Sequence, residues 1–293
     1  MPESLFRIQR GTDEGANMTA NTASSPGFER LRAVVFDWAG TLVDCGSRGP
    51  VQAFAESFSA HGVEVETAEA RVPMGLGKRE HVAAMFAMPR IAALWEQIHG
   101  APPGEEDIDR VYGLVETSLI DIIARYSMPI PGAVEAVAAM RGRGLRIGSC
   151  TGYPRPVAEK MAATAALAGL RPDCLVCATD VPQSRPAPDM CREILGRLKV
   201  SDPKTAVKIG DTKQDILEGL RAGMWTIGIT LTGSLVGLSE GELAALPASR
   251  RDLLERAAGE ALQAAGADFL APDIPSCMRI LDFIEEELAL RPA

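Results

Sequence analysis

The sequence predicts an α/β protein, a doubly wound parallel sheet interrupted by one inserted all-helical domain. Three features carry that expectation: five short apolar runs, helical spacing between them, and one connection far longer than a crossover needs.

The runs are residues 31–36 (LRAVVF), 145–150 (LRIGSC), 173–178 (DCLVCA), 206–210 (AVKIG) and 226–230 (TIGIT). Each has the length and composition of a buried strand. Polar or glycine-containing residues follow each one, then a stretch with helical spacing, and the whole describes a Rossmann-like core. Ligands of such sheets bind beyond the carboxyl ends of the strands, so chemistry is sought in the residues just after each run.

More than a hundred residues of helical pattern separate the first run from the second. A helix over 50–61 closes at Gly62, and Thr67 can cap the next turn. Ile108, Val111, Val115, Ile122 and Tyr126 share one stripe of a longer helix. We expect a helical insertion over residues 45–127, with Pro129-Ile130-Pro131-Gly132 as its return hinge. The core then comprises residues 31–44 and 128–293. Residues 1–30, rich in Ser, Thr, Asn and Gly, read as a disordered tail, with Met18 as an alternative start. After residue 248 come a helix, a short ADFL strand and a last helix whose acidic run 285–287 reads as a solvated face.

Composition narrows the function. Of 293 residues, 46% are hydrophobic and 24% charged, as a packed interior requires. Thirty basic residues against 39 acidic ones leave a net charge of −9, which argues against a nucleic-acid surface. No run approaches the roughly 18 apolar residues of a membrane span, and the N-terminus lacks the apolar core of a secretory signal. Six scattered cysteines in a chain this long fit a reduced cytoplasm. Cys174-Leu-Val-Cys177 has redox spacing but lies inside an apolar run, so a buried structural role is expected.

The strand ends carry the chemistry. Asp37-Trp38-Ala39-Gly40-Thr41-Leu42-Val43-Asp44 follows the first run. Alone, Asp37 is as well read as a turn or capping residue, yet a carboxylate there needs a cation to meet it. After the second run, Thr151-Gly152 offers a hydroxyl and an N–H to phosphoryl oxygens, and Thr41 joins that set. After the third comes Arg185, a guanidinium that can offset phosphoryl charge. After the fourth, Gly210-Asp211-Thr212 supplies a hard oxygen ligand for magnesium. Asp215, four positions on, can hold the metal's waters or orient a nearby Lys or Arg. Nucleophile, hydroxyl, cation and metal ligand together describe phosphoryl transfer.

This arrangement resembles the haloacid dehalogenase superfamily. The resemblance implies that Asp37 is a covalent nucleophile and that Mg²⁺ is held by the Asp37 carboxylate, the Ala39 carbonyl and Asp211. It also implies a helical cap entering after the first strand. Phosphatases of that superfamily carry a second aspartate two residues after the nucleophile, where this chain has Ala39. General-acid help of about 10²–10⁴-fold is thereby missing for an oxygen leaving group. A carbon next to an iminium can instead depart as an enamine, which calls for a lysine. Lys78, beside Gly75 and Gly77 in the insertion, is the candidate.

Asp-Trp-Ala-Gly-Thr, Pro-Met-Gly-Leu-x-Lys-x-x-His-Val, Thr-Gly-Tyr, Met88-Pro89-Arg90-Ile91-Ala92 and Ala222-Gly223-Met224-Trp225-Thr226 are similar to the phosphonoacetaldehyde hydrolase (phosphonatase) family, from about residue 31 onward. The resemblance implies that Lys78 condenses with the aldehyde, that Asp37 attacks phosphorus, and that Met74, His81 and Tyr153 line the site. His81, three residues after Lys78 on a helix, is a candidate proton shuttle. Family members tend to be homodimers joined through cap helices, and the stretch 88–99 with Ile91 and Trp95 fits either that interface or the cap's own core. Ser47-Arg48 and Leu42 depart from the family pattern, and Arg48 would add charge near Lys78, which bears on the substrate. The alternatives are a hydrolase of a related phosphonate or phosphate, or a phosphate-binding homologue without catalysis.

Overall fold

Ala33, Val34, Val35 and Phe36 are wholly buried and form β1 (Ala33–Phe36), the middle of the sheet in a computed structural model that describes residues 27–290. β1 pairs in parallel with β2 (Arg146–Thr151) on one side and β4 (Ala206–Gly210) on the other. β3 (Cys174–Cys177), β5 (Trp225–Ile229) and β6 (Phe269–Ala271) complete the order β3-β2-β1-β4-β5-β6, all parallel. The chain turns back between β1 and β4, so the switch-point crevice lies at their carboxyl ends. Phe36 stands opposite Ile209, which brings the next residue of β1, Asp37, beside the end of β4 and Asp211.

The first five of the helices between β1 and β2 form a helical layer: α1 (Arg48–Ser59), α2 (Thr67–Arg71), α3 (Lys78–Phe86), α4 (Pro89–His99) and α5 (Glu105–Ile122). α5 buries Ile108, Val111, Val115, Leu119 and Ile122, a 3.6-residue stripe packed largely on α1. Tyr126 falls past the end of that helix, in a 3-10 turn. Thr67 is the first helical residue rather than the cap; Glu66 and Glu69 close a reciprocal capping box there. Ile91 and Trp95 of α4 point into the layer's own core, Trp95 edge-on to Phe86 at 4.8 Å, so neither is a surface anchor.

α6 (Ala133–Gly142) leads into β2, and α7 (Arg155–Leu167), α8 (Asp189–Arg197) and α9 (Lys213–Arg221) follow β2, β3 and β4. α10 (Glu240–Ala245), α11 (Ala248–Ala264) and α12 (Cys277–Ala289) complete the chain. Of the expected tail, residues 1–26 lie outside the described residues. Residues 27–30 are held: Phe28 is buried under the Arg143 guanidinium at 3.9 Å. The Glu285 carboxylate accepts the amides of Glu29, Arg30 and Leu31 at 2.7, 2.8 and 2.7 Å, so this acid ties residues 29–31 to α12 and is no mere solvated face. Among the described residues no helix is long and apolar enough to cross a membrane.

Candidate active site

Asp37 follows β1 into a tight turn in which the Trp38 carbonyl accepts the amides of Thr41, Leu42 and Val43. Gly40 sits at φ +87°, and a Cβ there would come within 2.5 Å of Asp211 Oδ2. Glycine is thus what lets the turn close on the end of β4. The Asp211 carboxylate accepts the Ser234 amide at 2.7 Å and the Thr41 hydroxyl at 3.3 Å. Thr41, expected among the phosphoryl-binding groups, is therefore spent on orienting Asp211. Carboxylate oxygens of Asp37, Asp211 and Asp215 lie within 4.8 Å of one another, all buried. Burial, then the charges of Asp37 and Asp215, push Asp211 up to about 8. Three crowded carboxylates of this kind suit a hard divalent cation, so the donor set fits the expected metal.

Arg185 is the hub. Its Nη1 donates to Asp37 Oδ1 at 2.7 Å and lies 3.0 Å from Asp215 Oδ1. Nε donates to Glu218 Oε2 at 2.9 Å, and Nη2 reaches the Cys150 carbonyl and thiol sulfur, both at 3.1 Å. A second buried cation backs it: Lys208 Nζ lies 3.0 Å from Asp215 Oδ1, 3.3 Å from Glu218 Oε2 and 3.1 Å from Cys150 Sγ. Lys208, Glu218 and Cys150 were not among the expected site residues. The signals were there: a lysine in the middle of a strand buried on both faces, and Glu218 one helical turn after Asp215 on α9.

Burial would raise Asp215, but the charges of Arg185 and Lys208 overcome it and hold the carboxyl low. Burial would likewise raise Cys150, yet the Cys191 hydrogen bond and the same two cations hold its thiol well below the ordinary range. Glu218 is pushed up to about 7, by burial first and then by Cys150. Asp215 thus has both oxygens committed, one to cations and one to Thr212 at the start of α9, consistent with a supporting rather than a ligating part.

Lys78 opens α3 and is buried. Burial first, then the charge of Arg185, bring its pKa down to about 8 against the pull of Asp37 and Asp211. The loop that leads to it is packed by close approach. A Cβ at Gly75 would meet Thr212 Oγ1 at 2.3 Å, and one at Gly152 would meet the Leu76 carbonyl at 2.5 Å. His81 does face the same side, but its Nε2 donates to the Ala70 carbonyl at 2.9 Å and its ring stacks on Phe54 at 3.8 Å. Burial and the neighbouring Lys78 charge hold it neutral, far below the usual imidazole range. The expected proton shuttle is thereby corrected: its donor is committed to backbone and it does not titrate near neutral pH.

Asp37, Ala39, Ser47, Met74, Lys78, Thr151, Gly152, Tyr153 and Arg185 line one cleft; Thr41, His81, Asp211 and Asp215 are buried and do not line it. The Thr151 hydroxyl accepts the Tyr153 amide at 3.2 Å, and Ser47 Oγ lies 3.8 Å from Met74 Sδ. Arg48 is exposed and borders a different cleft with Asp44 and Arg125, so it does not reach Lys78 as expected. Leu42 is core. Burial pushes the Cys174 and Cys177 thiols up to about 11 and about 12, as a structural role requires.

A family model for haloacid dehalogenase-like hydrolases matches residues 31–223. The chain is 46% identical over 259 residues to the phosphonoacetaldehyde hydrolase of Nitratidesulfovibrio vulgaris, covering 88% of this chain and 92% of the relative. It is 45% identical over 276 residues to a phosphonoacetaldehyde hydrolase-like protein of Syntrophobacter fumaroxidans, covering 93% and 98%. Its fold matches the crystal structure of a phosphonoacetaldehyde hydrolase-like protein from Oleispira antarctica with a TM-score of 0.88 at 36% identity, over 93% of this chain and 98% of that one.

Proposed function

Since the chain belongs to the haloacid dehalogenase-like hydrolases, and among them to the phosphonoacetaldehyde hydrolases, we propose that it hydrolyses the carbon–phosphorus bond of phosphonoacetaldehyde to acetaldehyde and phosphate. The observation that carries this reading is that Lys78 and Asp37 open onto one cleft in which Ala39 leaves no acid for an oxygen leaving group.

Neutral Lys78 adds to the aldehyde, and the adduct takes up one proton and loses water to leave an iminium. One Asp37 oxygen attacks phosphorus while the C–P bond breaks. The C–P electron pair becomes a new C=C bond as the C=N π pair passes to nitrogen, so the leaving group is a neutral enamine rather than a carbanion. Protonation at carbon gives an iminium, whose hydrolysis releases acetaldehyde and, with loss of a proton, returns neutral Lys78. Water then cleaves the aspartyl-phosphate to phosphate and restores Asp37. Arg185, already bonded to Asp37 at 2.7 Å, meets the phosphoryl oxygens, with the Thr151 hydroxyl and Gly152 amide beside it. Magnesium held by the Asp37 carboxylate, the Ala39 carbonyl and Asp211 would supply the positive charge that phosphoryl transfer demands. Met74 and Tyr153 bound the space around the lysine and keep water from it.

The six cysteines are all free, which supports a reducing, cytoplasmic setting. A homodimer through α4 would use the exposed Ile98 side, since Ile91 and Trp95 are turned inward.

The test is an assay for acetaldehyde and phosphate released in equal amounts, with borohydride added in a parallel reaction. Wild type should turn over and be inactivated by borohydride only with substrate present; Lys78→Arg should do neither. Turnover retained by Lys78→Arg would remove the imine from the mechanism.

A further inference from the structure

We propose that Arg71 is a positioning residue: it fastens the helical layer to the core loop that supports Asp211, and so holds Lys78 over Asp37. This deepens the reading of the site given above and rests on it.

Arg71 ends α2. Its Nη1 donates to the carbonyls of Gly46 at 2.8 Å and Ser234 at 3.1 Å, and its Nη2 to the carbonyl of Gly237 at 3.1 Å. Two of those acceptors belong to the core segment after β5, and the third to the crossing from β1 into the helical layer. Room is kept for the guanidinium: Gly237 has φ +72°, and a Cβ there would lie 2.7 Å from Arg71 Cζ.

The segment it grips is the one that builds the cation site. The Ser234 amide donates to Asp211 at 2.7 Å, the Thr232 hydroxyl to the Gly40 carbonyl at 3.1 Å, and the Gly46 amide to the Thr232 carbonyl at 2.8 Å. On its other side Arg71 is tied to the lysine loop. Its carbonyl accepts the Met74 amide at 3.1 Å, and the preceding carbonyl, of Ala70, accepts His81. One planar fork therefore joins the support of Asp211 to the support of Lys78. An ammonium, a point donor on a flexible stem, cannot span the same three carbonyls.

Hydrogen–deuterium exchange without substrate, together with steady-state kinetics, tests this on Arg71→Ala, Arg71→Lys and Gly237→Ala. In each variant the amides of residues 74–78 and 232–237 should exchange faster while those of α5 and β4 keep wild-type protection. kcat should fall on the order of 10²-fold, the scale of an ångström-sized misplacement of reacting groups. Added guanidinium should recover part of the loss in Arg71→Ala. Gly237→Ala leaves Arg71 in place but intrudes on its seat and strains its own backbone at φ +72°, so the exchange of residues 74–78, away from that strain, is what reports on the contact even if Arg71→Ala folds poorly. Unchanged exchange in 74–78, or lost protection spread evenly over α5 and β4, overturns the proposal. The exchange readout needs no substrate. If wild type releases no acetaldehyde, the functional reading fails, and Arg71 is still decided by exchange.

Discussion

The Lys78 side-chain nitrogen lies 4.8 Å from the centroid of the Tyr153 ring, closer than to the Phe54 ring at 5.7 Å. An aromatic face tolerates an ammonium but does not hydrate it, so the pair shelters the lysine without fixing its charge. The Tyr153 hydroxyl is itself buried and has no hydrogen-bond partner among the described residues. Tyr153→Phe should therefore leave folding stability within about 0.5 kcal/mol of wild type, whereas Tyr153→Ala should cost about 3–5 kcal/mol, both read from denaturant unfolding. A large loss in Tyr153→Phe would reveal a bond that the hydroxyl makes in solution.

The reactivity of Lys78 should follow its lowered pKa. At about 8, roughly a tenth of the lysine is neutral at pH 7, against about one part in 3,000 for an ordinary lysine. Borohydride trapping in the presence of substrate should accelerate close to tenfold per pH unit below 8 and level off above it. A plateau reached only near pH 10.5 would show that burial does not tune this amine.

The same shift is a stability statement. Between pH 8 and 10.5 the unfolded chain binds a proton at Lys78 that the folded chain does not, so stability rises with pH across that window. Below pH 8 the folded protein carries a buried charge, a cost of about 3 kcal/mol from the size of the shift. Lys78→Met should be inactive yet more stable by about 2–3 kcal/mol at pH 7, with the advantage gone above pH 10.5. Urea midpoints at the two pH values measure it. Equal stability at both would mean that the ammonium is hydrated in place.

Lys208 and Arg185 share Asp215 Oδ1, Glu218 Oε2 and Cys150 Sγ as acceptors. Removing one member of a buried ion network strands the others, at about 3–5 kcal/mol. Lys208→Met should lose that much stability, and Arg185, freed on one side, should hold Asp37 less firmly, lowering kcat more than it raises KM. Glu218→Gln should be milder, because Glu218 is pushed up to about 7 and already half protonated at neutral pH. An undisturbed Lys208→Met variant would show that Arg185 is positioned by its own contacts alone.

What the sequence revealed and what it hid follow from where each interaction is written. Thr151 ends a strand and Asp37, Arg185 and Asp211 come after strands, and a parallel sheet gathers strand ends whatever the rest of the chain does, so their meeting was legible. Lys208 lies within a strand, where the pattern read only apolar length, and its partners come from β2 and α9. His81 kept its spacing from Lys78, but spacing does not disclose burial, and burial decides that it stays neutral. Arg71 and Glu285 bind backbone groups, which leave no trace in residue identity. The inward turn of Ile91 and Trp95 was open for the same reason, since an apolar helix face fits a core and a dimer alike.

Ala39 offers the sharpest test of how the cleft selects its leaving group. It lines the same cleft as Asp37 and Lys78. Ala39→Asp would add a carboxylate where burial already raises Asp37 and Asp211, so the new acid should stay protonated well above the usual carboxylate range. A protonated acid there can serve an oxygen leaving group, restoring up to about 10²–10⁴-fold of general-acid help. When ionised, it would also raise the pKa of Lys78 and so deplete the neutral amine. Ala39→Asp should therefore lose acetaldehyde release while gaining hydrolysis of a simple aryl phosphate, measured side by side at pH 7. If acetaldehyde release survives at the wild-type rate, the amine is insulated from that position, and the absence of an acid at residue 39 is not what commits the cleft to carbon.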